Sequence, residues 1–160
     1  MFTRPETMPG DSRIWIYQSN RLLSADEEAD ISFRAEDFIE SWTAHNKELK
    51  GSFDVLHHMF LVFMIDENHT NASGCSIDKS LHFIQKIEKE FSVSLLERMN
   101  IAVSDNNSIR ILTRKDFDAA IRKGEINDNT IVFDNLITQK DDLKNNWRVP
   151  LHKSWIKSVS

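Results

Sequence analysis

The residues best placed for chemistry are Ser73, Gly74, Cys75, Ser76 and Asp78, within Ala72-Ser73-Gly74-Cys75-Ser76-Ile77-Asp78. They follow the apolar run Met59–Ile65 and the polar loop Asp66–Asn71, and they precede an amphipathic stretch from Lys79. That order reads as strand, loop and helix. It sets small polar residues and the only cysteine where helix N–H groups are unpaired and attract anions. A thiol in such a place acts as a nucleophile when a base takes its proton. His45 is the preferred base because it falls on an inward helical stripe, with His57, His58, His69, His82 and His152 as alternatives. The segment also ends in Lys79-Ser80, superficially like the end of a phosphate loop. Such a loop requires glycine directly before the lysine, whereas Asp78 stands there and its carboxylate repels phosphate. The plainer reading is a tight turn at Gly74 with Ser76 or Asp78 capping a helix.

A second group is Trp15, Tyr17 and Arg21, in Trp15-Ile16-Tyr17-Gln18-Ser19-Asn20-Arg21. At the end of a strand these residues line a cleft, and Trp42 and His45 join them from a long helix. The structural alternative is a core tryptophan, an ordinary turn, and Arg21 paired with a carboxylate. His57 and His58 are adjacent on an expected strand and so face opposite sides. With no His-x-x-x-His pair and no second cysteine, neither a metal centre nor a cofactor is expected.

The elements that must position these groups follow from periodicity and punctuation. Arg13–Gln18 reads as a strand covered on both faces. Ser24 and Glu27 have capping-box spacing, and Ile31, Ala35, Phe38, Trp42, His45 and Leu49 recur at helical steps. A helix is therefore expected to run toward Lys50, stopped by Gly51. His58–Ile65 reads as a central strand, and Leu81, Ile84, Ile87 and Phe91 as the inward stripe of the next helix. Asn100–Ser104 and Ser108–Leu112 form a hairpin about Asp105-Asn106-Asn107. Thr113 and Asp116 open a short helix that Gly124 ends, and Thr130–Phe133 is a further strand. The order β-α-β-α-β-β-α-β predicts an α+β protein, a mixed sheet with helices packed on it. One domain over 1–160 is expected, with residues 1–11 as an extended arm. A small C-terminal subdomain over 106–160 is the alternative division.

Composition bounds the function. The chain has 160 residues, 40% of them hydrophobic, which suffices for a core. A net charge of −5 argues against nucleic acid held on a broad basic surface. One cysteine makes no intrachain disulfide, the first ten residues hold no apolar core of signal-peptide length, and no apolar run spans a bilayer. A cytoplasmic protein without membrane insertion is expected.

Trp15–Arg21, Trp42-Thr43-Ala44-His45, Ser73–Asp78, and Thr130–Asn135 followed by Trp147, Pro150 and Ser154-Trp155 together resemble a family of short uncharacterised bacterial proteins. Members are often labelled "ABC transporter ATPase". That label implies a Walker A loop, a Walker B strand and a signature motif, none of which is intact in this shorter chain. The resemblance therefore implies candidate positions and no mechanism. The last third, through Phe117, Ile121, Gly124, Ile126, Thr130, Val132, Trp147 and Pro150, also looks somewhat like small GYF-like peptide-binding modules, without their aromatic ligand-binding signature.

Three functions compete on these grounds. The first is a binding domain for a small ligand or protein partner at Ser73–Asp78, near Trp15, Tyr17, Arg21 and Trp42. The second is a Cys75–His45 enzyme with the helix N-terminus as oxyanion donor. The third is an interaction module acting through its C-terminal tryptophans.

Overall fold

The computed structural model describes residues 1–156, and the chain divides into two compact units. The first comprises Met1–Leu96 with Thr138–Asp141, and the second Glu97–Ile137 with Asp142–Ser160. The class is α+β, as the element order predicts, with helices packed against sheets. The strands are shared among three antiparallel sheets instead of one mixed sheet. Among the described residues, the single parallel contact is an isolated bridge between Phe2 and Gly51.

In the first unit, β1 (Arg13–Gln18) leads through Ser24 into α1 (Ala25–Glu40). Ser24 Oγ accepts from Glu27 N–H at 3.1 Å, and Glu27 returns the bond by accepting from Ser24 N–H at 2.9 Å. This is the expected capping box. The helix ends at Glu40, eleven residues before Gly51, however, and does not run toward Lys50. Trp42 to Leu49 instead form a hairpin of β2 (Thr43–Ala44) and β3 (Lys47–Glu48). His45 and Asn46, at φ 51° and 63°, make its turn. Two left-handed central residues are the type I′ geometry that matches strand twist. Trp42 and Ala44 are buried while Thr43 is only half-buried, so a period of two has replaced the helical period.

Gly51 opens β4 (Gly51–Leu56) and is not a helix stop. A Cβ there would lie 3.1 Å from Ile39 Cγ2 and 3.3 Å from Met64 O, so close packing of α1 on the sheet favours glycine. β4 turns into β5 (Phe60–Ile65), the central strand between β1 and β4, with Trp15 and Phe53 flanking Phe63 in register. His57 and His58 do not lie on a strand. They are the left-handed central residues of the Leu56–Met59 turn, at φ 53° and 59°, closed by Met59 N–H to Leu56 O at 3.1 Å.

α2 (Gly74–Phe91) completes the unit. Phe63 is fully buried and lies edge-on to Phe38, Trp42, Phe53 and Phe83, at centroid distances of 5.9, 5.6, 5.1 and 5.7 Å. Ile31, Ala35 and Ile39 of α1 and Ile84 and Ile87 of α2 close the core around this cluster.

The second unit contains β6 (Ile101–Asp105), β7 (Ser108–Leu112), α3 (Arg114–Arg122), β8 (Ile131–Phe133), α4 (Asp142–Asn145) and β9 (Arg148–Pro150). Its sheet order is β7-β6-β8-β9. The expected hairpin forms about Asn106 and Asn107, Thr113 caps α3 through Asp116 N–H at 3.1 Å, and Gly124 takes φ 77°. Phe117, Val103, Val132 and Leu151 fill its core. Among the described residues, no helix is long and apolar enough to cross a membrane.

Candidate functional site

At the start of α2 the cap is Ser73, not Ser76 or Asp78. Ser73 Oγ accepts from Ser76 N–H at 3.1 Å. Ser76 Oγ accepts from Ser73 N–H and donates to Ser73 O, both at 2.7 Å. Ser76 is buried, and its carbonyl accepts the Trp42 indole N–H at 2.9 Å. Trp42 therefore does reach this loop, but as a core residue only 2% exposed that fixes the helix start from beneath. Gly74, Cys75 and Asp78 are exposed. His45, expected to face inward from a helix, is exposed at the tip of the β2–β3 turn. Among the described residues no hydrogen bond joins Cys75 to any histidine.

The Trp15–Arg21 segment serves the frame. Trp15 is half-buried beneath the Arg13 guanidinium, 4.8 Å from its ring centroid. Tyr17 meets Phe63 edge-on at 6.4 Å. Arg21 makes two parallel bonds of 2.8 Å to the Glu27 carboxylate and donates to Phe91 O at 2.7 Å. These bonds raise the guanidinium pKa and hold Glu27 at about 2, the Arg21 bonds acting first and the Ser24 N–H second. Arg21 thus reaches the end of α2 at Phe91, whereas Ser73 caps its beginning. At 1.5 Å per residue these points are roughly 25 Å apart along the helix, so Arg21 does not join the Ser73–Asp78 loop.

A different place collects titratable groups. Glu28, Ala29 and Ser32 of α1, Asp54 and Val55 of β4, and His57 and His58 of the β4–β5 turn line a cleft of about 370 Å³. Each element is fixed by a local device. The capping box sets the register of α1 and so the position of Glu28. The turn is tied down where His58 O accepts Leu23 N–H at 2.7 Å and Met59 O accepts Ser19 N–H at 2.8 Å. His58 Nδ1 then lies 3.0 and 3.1 Å from the two Glu28 oxygens. Asp54 Oδ1 accepts from Val55 N–H at 2.9 Å, at the open edge of the sheet. Burial pushes the Asp54 carboxyl up, against that N–H bond, and the charges of Glu6 and Glu28 push it the same way.

The sequence carried only part of this signal. His57-His58 stands out, but an apolar run directly after it reads as strand, and a strand separates the two rings. Glu28 is hidden in an acidic helix start, and Asp54 lies between the expected helix stop at Gly51 and the expected strand from His58, in a segment assigned to no element. Among the described residues no three His, Cys, Asp or Glu side chains are grouped to hold a metal ion. Two carboxylates and two imidazoles around a cleft suit a protonated amine or a guanidinium, which carboxylates bind by charge-assisted hydrogen bonds.

In the second unit, Trp147 is buried, with its indole N–H on Asn135 Oδ1 at 2.9 Å and its ring edge-on to Phe133. Trp155 is 47% exposed. Of the two tail tryptophans, only Trp155 presents a free surface. Comparison of the chain with protein-family models, curated proteins and solved structures finds no match.

Proposed function

We propose that this protein is a binding domain whose first unit takes a cationic group, an alkylammonium or guanidinium, in the cleft between α1 and the β4–β5 turn. The carrying observation is the convergence of Glu28 and Asp54 from separate elements on one cleft, with His58 held on Glu28 at 3.0 Å. Burial, with the charges of Glu6 and Glu28 adding to it, raises the cost of ionising Asp54, and a bound cation would offset that cost. The reading makes the domain a binder and not an ATPase, and the resemblance to the short bacterial family supplies no reaction to set against it. A cytoplasmic setting accords with the single exposed cysteine. The net charge of −5 disfavours nucleic acid as the partner.

A ligand that binds only the folded state raises the unfolding temperature by mass action. Butylguanidinium is expected to raise the Tm of the wild-type protein, butyrate is not, and Asp54→Asn is expected to lose the response. An equal response to both compounds would contradict the reading.

A second reading keeps an anionic ligand at the start of α2. Exposed Gly74, with no heavy atom within 4 Å of where its Cβ would stand, and a first turn without acidic residues favour it. On this reading butyrate or phosphate stabilises the protein, and Asp54→Asn leaves that effect intact.

A further inference from the structure

Phe33 is 73% exposed, the most exposed large hydrophobic side chain among the described residues. It sits in the middle of the solvent-facing arc of α1, opposite the buried stripe of Ile31, Ala35 and Ile39. Helical spacing places Ala29 one turn before it and Glu36 and Asp37 one turn after it, with Asp26 two turns before. Arg34, the only basic residue of α1, is engaged by Asp30 at 2.9 Å and by Glu90. Asp26, Glu36 and Asp37 have no cationic partner among the described residues. No basic side chain stands in the last turn, although negative charge is unfavourable at that end of a helix dipole. This outer face therefore keeps an exposed aromatic ring among unneutralised carboxylates. Ala29 belongs both to it and to the wall of the cleft.

Resting on the cleft reading, we infer that the natural occupant is a basic segment of another protein, docked along α1. Its apolar side chain covers Phe33, and its Lys or Arg side chains meet Asp26, Glu36 and Asp37. One further cationic side chain enters the cleft past Ala29. Charge complementarity selects this occupant: an acidic segment would be repelled, and a purely apolar one would leave the carboxylates without partners. The helix has 16 residues, long enough for a partner of several turns.

The test uses the full chain and three synthetic peptides. One alternates Lys and Leu with helical periodicity, one has Glu in place of every Lys, and one has Ser in place of every Leu. The Lys/Leu peptide is expected to bind, with affinity falling as salt rises. Phe33→Ser and Asp37→Lys should each weaken it at least tenfold. Asp37→Lys should at the same time leave the protein as stable as wild type or more so, which separates docking from folding. Glu/Leu and Lys/Ser peptides should bind at least tenfold more weakly. Equal binding of the Glu/Leu peptide, or Lys/Leu binding indifferent to both substitutions, would overturn the inference. Phe33→Ser is expected to keep the butylguanidinium response. Retention of that response without any Phe33-dependent peptide binding defeats only the docking surface. Its absence from the wild type defeats the cleft reading on which the docking rests.

Discussion

Asp54 is costly to the fold as it stands. Burial, assisted by Glu6 and Glu28, raises its carboxyl pKa above the ordinary value of 3.8. A group whose folded-state pKa is raised contributes most below the unfolded value, and stability falls as pH rises through the folded value. Asp54→Asn should therefore raise Tm at pH 7, and the gain should disappear below about pH 3.8. Glu27 behaves oppositely. Its pKa is lowered from 4.5 to about 2, chiefly by the Arg21 hydrogen bonds, so its contribution is present above 4.5 and is lost as pH falls toward 2. Urea unfolding across that window should show wild-type stability falling with pH. Glu27→Gln should be less stable at neutral pH and flatter below 4.5. At Cys75, exposure in the native state means that alkylation need not wait for unfolding. Cys75→Ser should leave both Tm and the butylguanidinium response unchanged, as a residue with no part in the core or the cleft requires.

At the scale of elements, the β2–β3 hairpin separates what the sequence showed from what it concealed. Ser24 and Glu27 announced the start of α1 because a capping box is local chemistry. Its end was not legible, because Trp42 and Leu49 are apolar at steps that suit a helix as well as a hairpin. The distinguishing signal was His45-Asn46, where Asn tolerates the left-handed backbone of a type I′ turn. Replacing the pair by Asn-Gly should stabilise the protein by roughly 1 kcal/mol, since two L-residues other than glycine now hold positive φ. Trp42 has a separate role, joining this hairpin to α2. Trp42→Phe removes the indole donor to Ser76 O and should cost about 0.5–1.5 kcal/mol in urea unfolding, the net worth of a typical hydrogen bond, because that carbonyl lies inside α2 and keeps its place in the helical ladder. The α2 cap was legible in residue types but not in position. Ser73, Ser76 and Asp78 all have capping chemistry, and the choice of Ser73 follows from its reciprocal bonds with Ser76 and the tie from Ser76 to buried Trp42.

For the molecule as a whole, class and strand types were readable because periodicity reports which face each element buries. β5 is central, as its unbroken apolar run from Phe60 to Ile65 predicted, and the hairpin and helix of the second unit lie where their turn and cap residues placed them. The cleft was not readable because it is a tertiary product. Glu28 and His58 are 30 positions apart, and they meet only because a two-histidine turn folds β4 back against β5 beside α1. A cation bound in this cleft is detected most directly by an amide NMR titration of the isotope-labelled full chain with butylguanidinium. The largest shifts are expected on Glu28, Ala29, Ser32, Asp54, Val55, His57 and His58, and Asp54→Asn is expected to remove them. Shifts centred on Ser73–Asp78, or no saturable shifts around Asp54, would contradict cation binding there.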